Sequence, residues 1–276
     1  MDIRDFRALI NLFAPLTSIW THRKLVGRLT GRDIAARYKG SLLGVLWAVI
    51  IPLVMLAVYT FVFSVVFQAR WGTAGSDRFH FALMLFAGLL VFNVFADCVS
   101  RAPSLIVSNV SYVKKVVFPL EILPWVSVGT ALFNAGINVL VLMVFALIVG
   151  NGIPTTVVLL PIVLIPFLLL VVGISFFLAS LGVFVRDLQQ VIGVFLTCCM
   201  FLSPIFYPLE SLPERLRAIV GLSPVSMAVS AARDVLLQGV MPSVTLWFVS
   251  TGIGLLVAVL GSVWFAKTRK GFADVM

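Results

Sequence analysis

RDIAARYKGSLLGVLWAVIIPL, residues 32–53, sets Arg32, Arg37 and Lys39 directly before an apolar run that scarcely pauses until Phe67, with Arg28 just upstream. A predominantly apolar stretch of about 20 residues is what an α-helix needs to cross a bilayer. In lipid such a stretch must satisfy its own backbone, and a helix does so within one segment. The fold class therefore follows from how many such runs the chain holds, and its orientation from the charge at their edges.

Of the 276 residues, 61% are hydrophobic and only 11% are charged. Soluble domains carry about 25% charged residues, so water is not the main solvent here. Six runs reach spanning length: 42–67, 81–100, 122–149, 156–184, 189–208 and 244–266. They are continuous rather than alternating, which excludes a β-barrel. Pro52, Pro166 and Gly173 inside them are tolerated in membrane helices. The expected architecture is all-α and membrane-integral. It has an N-terminal segment (1–41) bearing an amphipathic interfacial helix, a six-helix domain (42–266) and a tail (267–276).

The net charge of +9 sits at the edges of apolar runs, not on a folded basic face, so it speaks for membrane orientation and against nucleic acid. With the N-terminus inside, the inner stretches hold Arg4, Arg7, Arg23, Lys24, Arg28, Arg32, Arg37, Lys39, Arg101, Lys114, Lys115, Arg186, Lys267, Arg269 and Lys270. Only Arg70, Arg78, Arg215, Arg217 and Arg233 fall outside. This bias predicts both termini in the cytoplasm. The first 24 residues lack a continuous apolar core ending in a small-residue cleavage site, so no cleavable leader is expected.

Eight basic residues before the first span exceed what orientation needs. In TSIWTHRKLVGRL (17–29), Ile19, Leu25, Val26 and Leu29 share one helical face while Thr21, Lys24 and Arg28 lie opposite. Two readings are open: anchoring on anionic headgroups, or docking of a cytoplasmic partner.

Catalytic signatures are missing. The chain has no GxxxxGK[ST], no HExxH, no Ser/His/Asp arrangement and no paired carboxylates within a span. Cys98, Cys198 and Cys199 lie in apolar surroundings and have no zinc spacing, so they read as packing residues. Asp97 is the one acid in the spans, and Arg101 four residues on is placed to neutralise it. A proton relay would need further acids. Asn93, Asn134 and Asn138 either hydrogen-bond between helices or line a path.

Trp47, Tyr59, Phe63 and Phe67 mark the first span, and Phe195, Phe201, Phe206 and Tyr207 the fifth. They are either lipid-facing bulk with interfacial belts or a stacking track for sugar rings. Two connections look organised. APSLIVSNVSYVKKVVFPLE (102–121) carries Asn109, Lys114, Lys115 and Pro119. Residues 204–242 carry prolines at 204, 208, 213, 224 and 242 around short apolar stretches, which fits a re-entrant hairpin between the fifth and sixth spans.

RDIAARYKGSLLGVLWAVIIPLVMLAVYTFVFSVVF, VSYVKKVVFPLEILP and FLSPIFYPLESLPERLRAIVGLSPVSMAVSAARDVLL, in that order, resemble the membrane subunit of ABC-2 type polysaccharide exporters. These permeases move lipid-linked O-antigen, and relatives handle capsule or teichoic acid. The resemblance implies a homodimer in the bacterial inner membrane above two separate ATPase subunits, which would hold ATP and magnesium. It places Arg32, Asp33, Arg37, Tyr38, Lys39, Asn109, Lys114, Lys115, Pro119 and Glu121 on the ATPase-facing surface. Arg28, Arg32 and Arg37 stand where a lipid pyrophosphate would arrive. Trp47, Tyr59, Phe63, Phe67, Asn93, Asn134, Phe195 and Tyr207 are the candidates for the polymer path. The chain itself is expected to need no cofactor or metal. Two competing classes are an ABC-2 permease for a small drug or other lipid, and a stand-alone secondary carrier or channel.

Overall fold

A computed structural model describes residues 15–67, 78–113, 118–150 and 152–275; Arg4, Arg7, Arg70, Lys114 and Lys115 lie outside them. The regular elements of the described residues are all helices, with no strand among them. A short helical run (15–21) leads into α1 (Arg23–Tyr38). The first span is α2 (Trp47–Tyr59), continued as a wider π-helical turn over Thr60–Val66. Then come α3 (Arg78–Arg101), α4 (Ile122–Val149) and α5 (Ile165–Phe184), the last preceded by a helical lead-in from Thr155. The remaining helices are α6 (Leu188–Leu202), α7 (Glu214–Gly221), α8 (Pro224–Arg233) and α9 (Val244–Thr268).

Five of these elements are long and apolar enough to cross a membrane: 44–63, 79–104, 122–149, 155–184 and 244–271. The expected fifth span, 189–208, is shorter. Its helix α6 has 15 residues, about 22 Å of rise against the ~30 Å of a hydrocarbon core. Ser203 turns extended there, ahead of Pro204. Tyr207 folds back, its Oη donating to the carbonyl oxygens of Phe201 and Leu202 at 3.3 and 3.1 Å. That bond caps the last turn of α6.

The core is built around α3. Its apolar window is 83% buried, against 11% for the first span. Leu83, Leu85, Val91, Cys98 and Val99 are fully buried. The most extensive helix pairing is α5 with α9, and glycine makes it possible. A Cβ on Gly261 would fall onto the carbonyl oxygen of Gly173, and one on Gly254 onto that of Pro166. Small residues let membrane helices approach closely where no hydrophobic force drives them together. At one end Ser180 Oγ and Thr268 Oγ1 lie 2.6 Å apart. Beyond them the chain tucks Phe272, fully buried, against Phe184 and Phe265 with ring centroids 6.0 and 5.6 Å away.

At the opposite end, the segment joining α7 to the extended α8 bends by 90°. Proline at 213 and 224 starts each helix where a missing N–H costs nothing. Arg233, counted from sequence among the outer basic residues, is only 4% exposed. Its Nε donates to the Met84 carbonyl at 2.8 Å, Nη1 to Pro204 at 2.6 Å and Nη2 to Ile205 at 2.8 Å. One guanidinium thus joins α8, α3 and the non-helical segment after α6. The fixed fork of donors suits such a multi-carbonyl contact as lysine would not.

Candidate functional site

Met84, at the hairpin end, and Asp97 lie 13 residues apart on α3, about 20 Å along its axis. Around Asp97, α1 packs against α3 and α4. Val26, Thr30, Asp33 and Arg37 recur at spacings of four, three and four, which puts them on one face of α1. Val26 is buried with Ile122 and Val126, and Leu25, Leu29, Phe118 and Trp125 close round them. The apolar face expected to lie in the inner leaflet is therefore taken up by the protein's own α4. Gly129 allows the approach: a Cβ there would stand 2.9 Å from Thr30 Oγ1.

Beyond this apolar patch the same face turns ionic. Arg37 Nη2 reaches both oxygens of Asp97, at 3.3 and 3.2 Å. Arg101 Nη1 reaches Asp33 Oδ2 at 3.1 Å, and Thr130 Oγ1 donates to the same oxygen at 3.0 Å. Asn134 Nδ2 donates to Asp97 Oδ2 at 3.3 Å. The local Asp97–Arg101 pair read from sequence is present at 4.0 Å, and each of its groups also carries a shorter bond to α1. Two carboxylates and two guanidiniums are exchanged between helices, which neutralises all four at a membrane edge. Arg32 Nη2 adds a 2.7 Å bond to Tyr112 Oη, whose ring stacks on Phe118 at 4.2 Å.

The other candidate residues distribute as follows. Tyr38 is half-buried and Lys39 exposed at the end of α1. Asn109 Nδ2 bonds the Leu105 carbonyl at 2.9 Å, closing its own turn. Lys114 and Lys115 lie outside the described residues. Pro119 and Glu121 line a cavity of about 450 Å³ with His22, Arg269 and Lys270, and Arg269 bonds Glu121 at 3.2 Å. The tail thereby reaches the connection before α4, a contact the sequence reading did not foresee. Arg28 is exposed, and its Nε makes one 3.4 Å bond to the Lys24 carbonyl. Trp47 is 39% exposed and Phe195 47% exposed, while Asn93 is exposed and Tyr59 half-buried. Phe63 packs with Phe67, Phe81 and Phe206 at centroid distances of 5.8, 5.5 and 6.1 Å. Those rings join spans one and two to the segment after α6. Among the described residues no group of three or more His, Cys, Asp or Glu could hold a metal ion.

A crossed ion pair of this kind has a measurable signature. In a double-mutant cycle with Arg37→Gln and Asp97→Asn, we expect a coupling of about 1 kcal/mol in thermal unfolding. Strict additivity would mean that the contact holds nothing together.

A bundle of membrane-length helices with a basic helix pinned across its edge defines a polytopic membrane protein. The family description of ABC-2 type transporters matches residues 24–237, and the chain belongs to that family. Its relatives include an O-antigen export system permease protein RfbA of Myxococcus xanthus, 27% identical over 258 residues, covering 93% of this chain and 96% of the relative. A protein of the same name from Klebsiella pneumoniae is 24% identical over 251 residues, covering 90% and 93%.

Proposed function

We propose that this chain is the permease subunit of an ATP-driven exporter that moves a lipid-linked polysaccharide across the bacterial inner membrane. In this reading two copies form the pore, and two separate ATPase subunits bind ATP and magnesium. The Arg-rich end faces the cytoplasm with both termini, and the α7–α8 hairpin re-enters the membrane at the periplasmic end. The carrying observation is the junction of α1 with α3 and α4. A helix held by an apolar patch and two crossed ion pairs cannot be displaced alone. A push on its exposed side passes to α3, the most buried helix of the bundle. The O-antigen export names of the relatives support the substrate class.

Within that scheme Arg32, Asp33, Arg37, Tyr38, Lys39, Asn109, Lys114, Lys115, Pro119 and Glu121 form the surface that receives the ATPase. The internal bonds of Arg32 and Arg37 give both a share in transmitting its movement. Arg28, exposed and held by a single long bond, is the residue of the basic segment best able to meet a pyrophosphate. Trp47, Phe67 and Phe195, exposed along the first span and α6, would stack on sugar rings as the polymer passes.

The test is reconstitution of the chain with its ATPase in lipid nanodiscs. Lipid-linked glycan should stimulate ATP turnover, and Arg28→Gln should raise the half-maximal concentration about tenfold, the loss of one charge-assisted contact. Stimulation by small amphipaths in place of glycan would make this a drug or lipid permease. Failure of any ATPase to co-purify would make it a stand-alone carrier.

A further inference from the structure

Beside the ionic junction lies an open groove of about 440 Å³, lined by Arg37 and Tyr38 at the end of α1, by α2, α3 and α4, and by one residue of α6. Its polar lining comes in two facing steps. Asn93 and Asp97 are one turn apart on α3, and Asn134 and Asn138 are one turn apart on α4. Such i,i+4 pairs share a helix face. The Asn134–Asp97 bond of 3.3 Å bridges the two steps. Trp47 and Tyr38 supply aromatic surface to the same space.

Asn93 and Asn138 have no hydrogen-bond partner among the described residues, although their neighbours Asp97 and Asn134 are bonded. A carboxamide at membrane depth is costly unless something bonds it. Two of them open into one groove, so the sequence maintains donors and acceptors there that the fold itself does not use. The charge is already balanced, since Arg37 is held by Asp97 at 3.2 Å. An anionic ligand would meet a carboxylate and would have to break that pair. An uncharged polyhydroxyl ligand would meet amides, a carboxylate with spare lone pairs and aromatic faces, all of which accept hydroxyls or sugar C–H surfaces.

We propose that this groove is a sugar subsite that takes an uncharged ring of the glycan near its lipid end. Asn93 and Asn138 would hydrogen-bond its hydroxyls, and Trp47 would lie against its apolar face. Trp47 also belongs to the proposed polymer path, so the subsite would hold the ring at one point along that path. The proposal rests on the polysaccharide-export reading, which fails separately from it.

The experiment uses the permease–ATPase complex in nanodiscs, with total lipid-linked glycan extracted from the source cells as one probe and sugar-free polyprenyl diphosphate as the other. Asn93→Ala with Asn138→Ala removes two carboxamides that the described residues leave unbonded, so its unfolding temperature should match that of the unmutated chain. The concentration of glycan-linked lipid giving half-maximal ATP turnover should rise about tenfold or more in the double variant. Its response to the sugar-free lipid should be unchanged. An unaltered response to glycan overturns the subsite alone. An equal loss with the sugar-free lipid assigns the groove to the headgroup and overturns the sugar assignment. An unmutated complex indifferent to glycan overturns the export reading, and the subsite falls with it.

Discussion

Replacing Arg233 by methionine should lower the unfolding temperature of the detergent-solubilised protein by about 10 °C, a loss of roughly 3–5 kcal/mol. The size follows from what is stranded. The guanidinium donates to three carbonyls, and those of Pro204 and Ile205 lie in non-helical backbone. Each buried acceptor left without a partner costs about 1–3 kcal/mol. Lysine should recover only part of the loss, because one ammonium cannot span three acceptors set on two elements. Arg217 supplies the control. It also bonds two carbonyls, Glu210 at 2.7 Å and Leu212 at 3.2 Å, but it is exposed, so water can take its place. Arg217→Met should cost under about 1 kcal/mol. Equal effects at the two positions would show that burial of the Arg233 cluster is unimportant.

Gly261→Leu should be comparably severe, and Gly252→Leu on the same helix nearly silent. At Gly261 even a methyl group would land on the Gly173 carbonyl, whereas at Gly252 nothing lies within 4 Å. Accommodating leucine at 261 means separating α5 from α9 along their whole contact. Overpacking a tight site costs about 1–3 kcal/mol and sometimes more. Lipid offers no compensating hydrophobic force to re-close the gap. Thermal unfolding and the yield of intact protein from membranes read both variants, and similar losses at 252 and 261 would refute the close approach.

Hydropathy made five spans legible because a continuous apolar run has one solution in lipid. Where proline interrupts such a run, length alone misleads. The stretch 189–208 counted as a span, yet Pro204 and Pro208 end its helix at Leu202. The charge network was half legible. Asp97 was picked out as the costly acid, but the i,i+4 rule sees only its own helix, and Arg37 is 60 residues away. The face of α1 that suggested a lipid surface is apolar for another reason, since Ile122 and Val126 cover it. Arg233 carried a signal that a side count could not use: it lies in VSMAVSAARDVLL, a segment too apolar for water. A lone arginine there has to find carbonyls. The Arg269–Glu121 bond left no trace in the sequence, because it joins positions 148 residues apart.

Phe272 gives the far end of the chain a weight that its length disguises. Its ring is fully enclosed by Phe184 and Phe265, so the closing residues behave as a plug seated in the bundle. Trimming the chain after Lys270 would open a hole the size of a benzene ring between α5 and α9. Purification tags and fluorescent reporters have to follow Phe272 at a distance that leaves that plug in its socket.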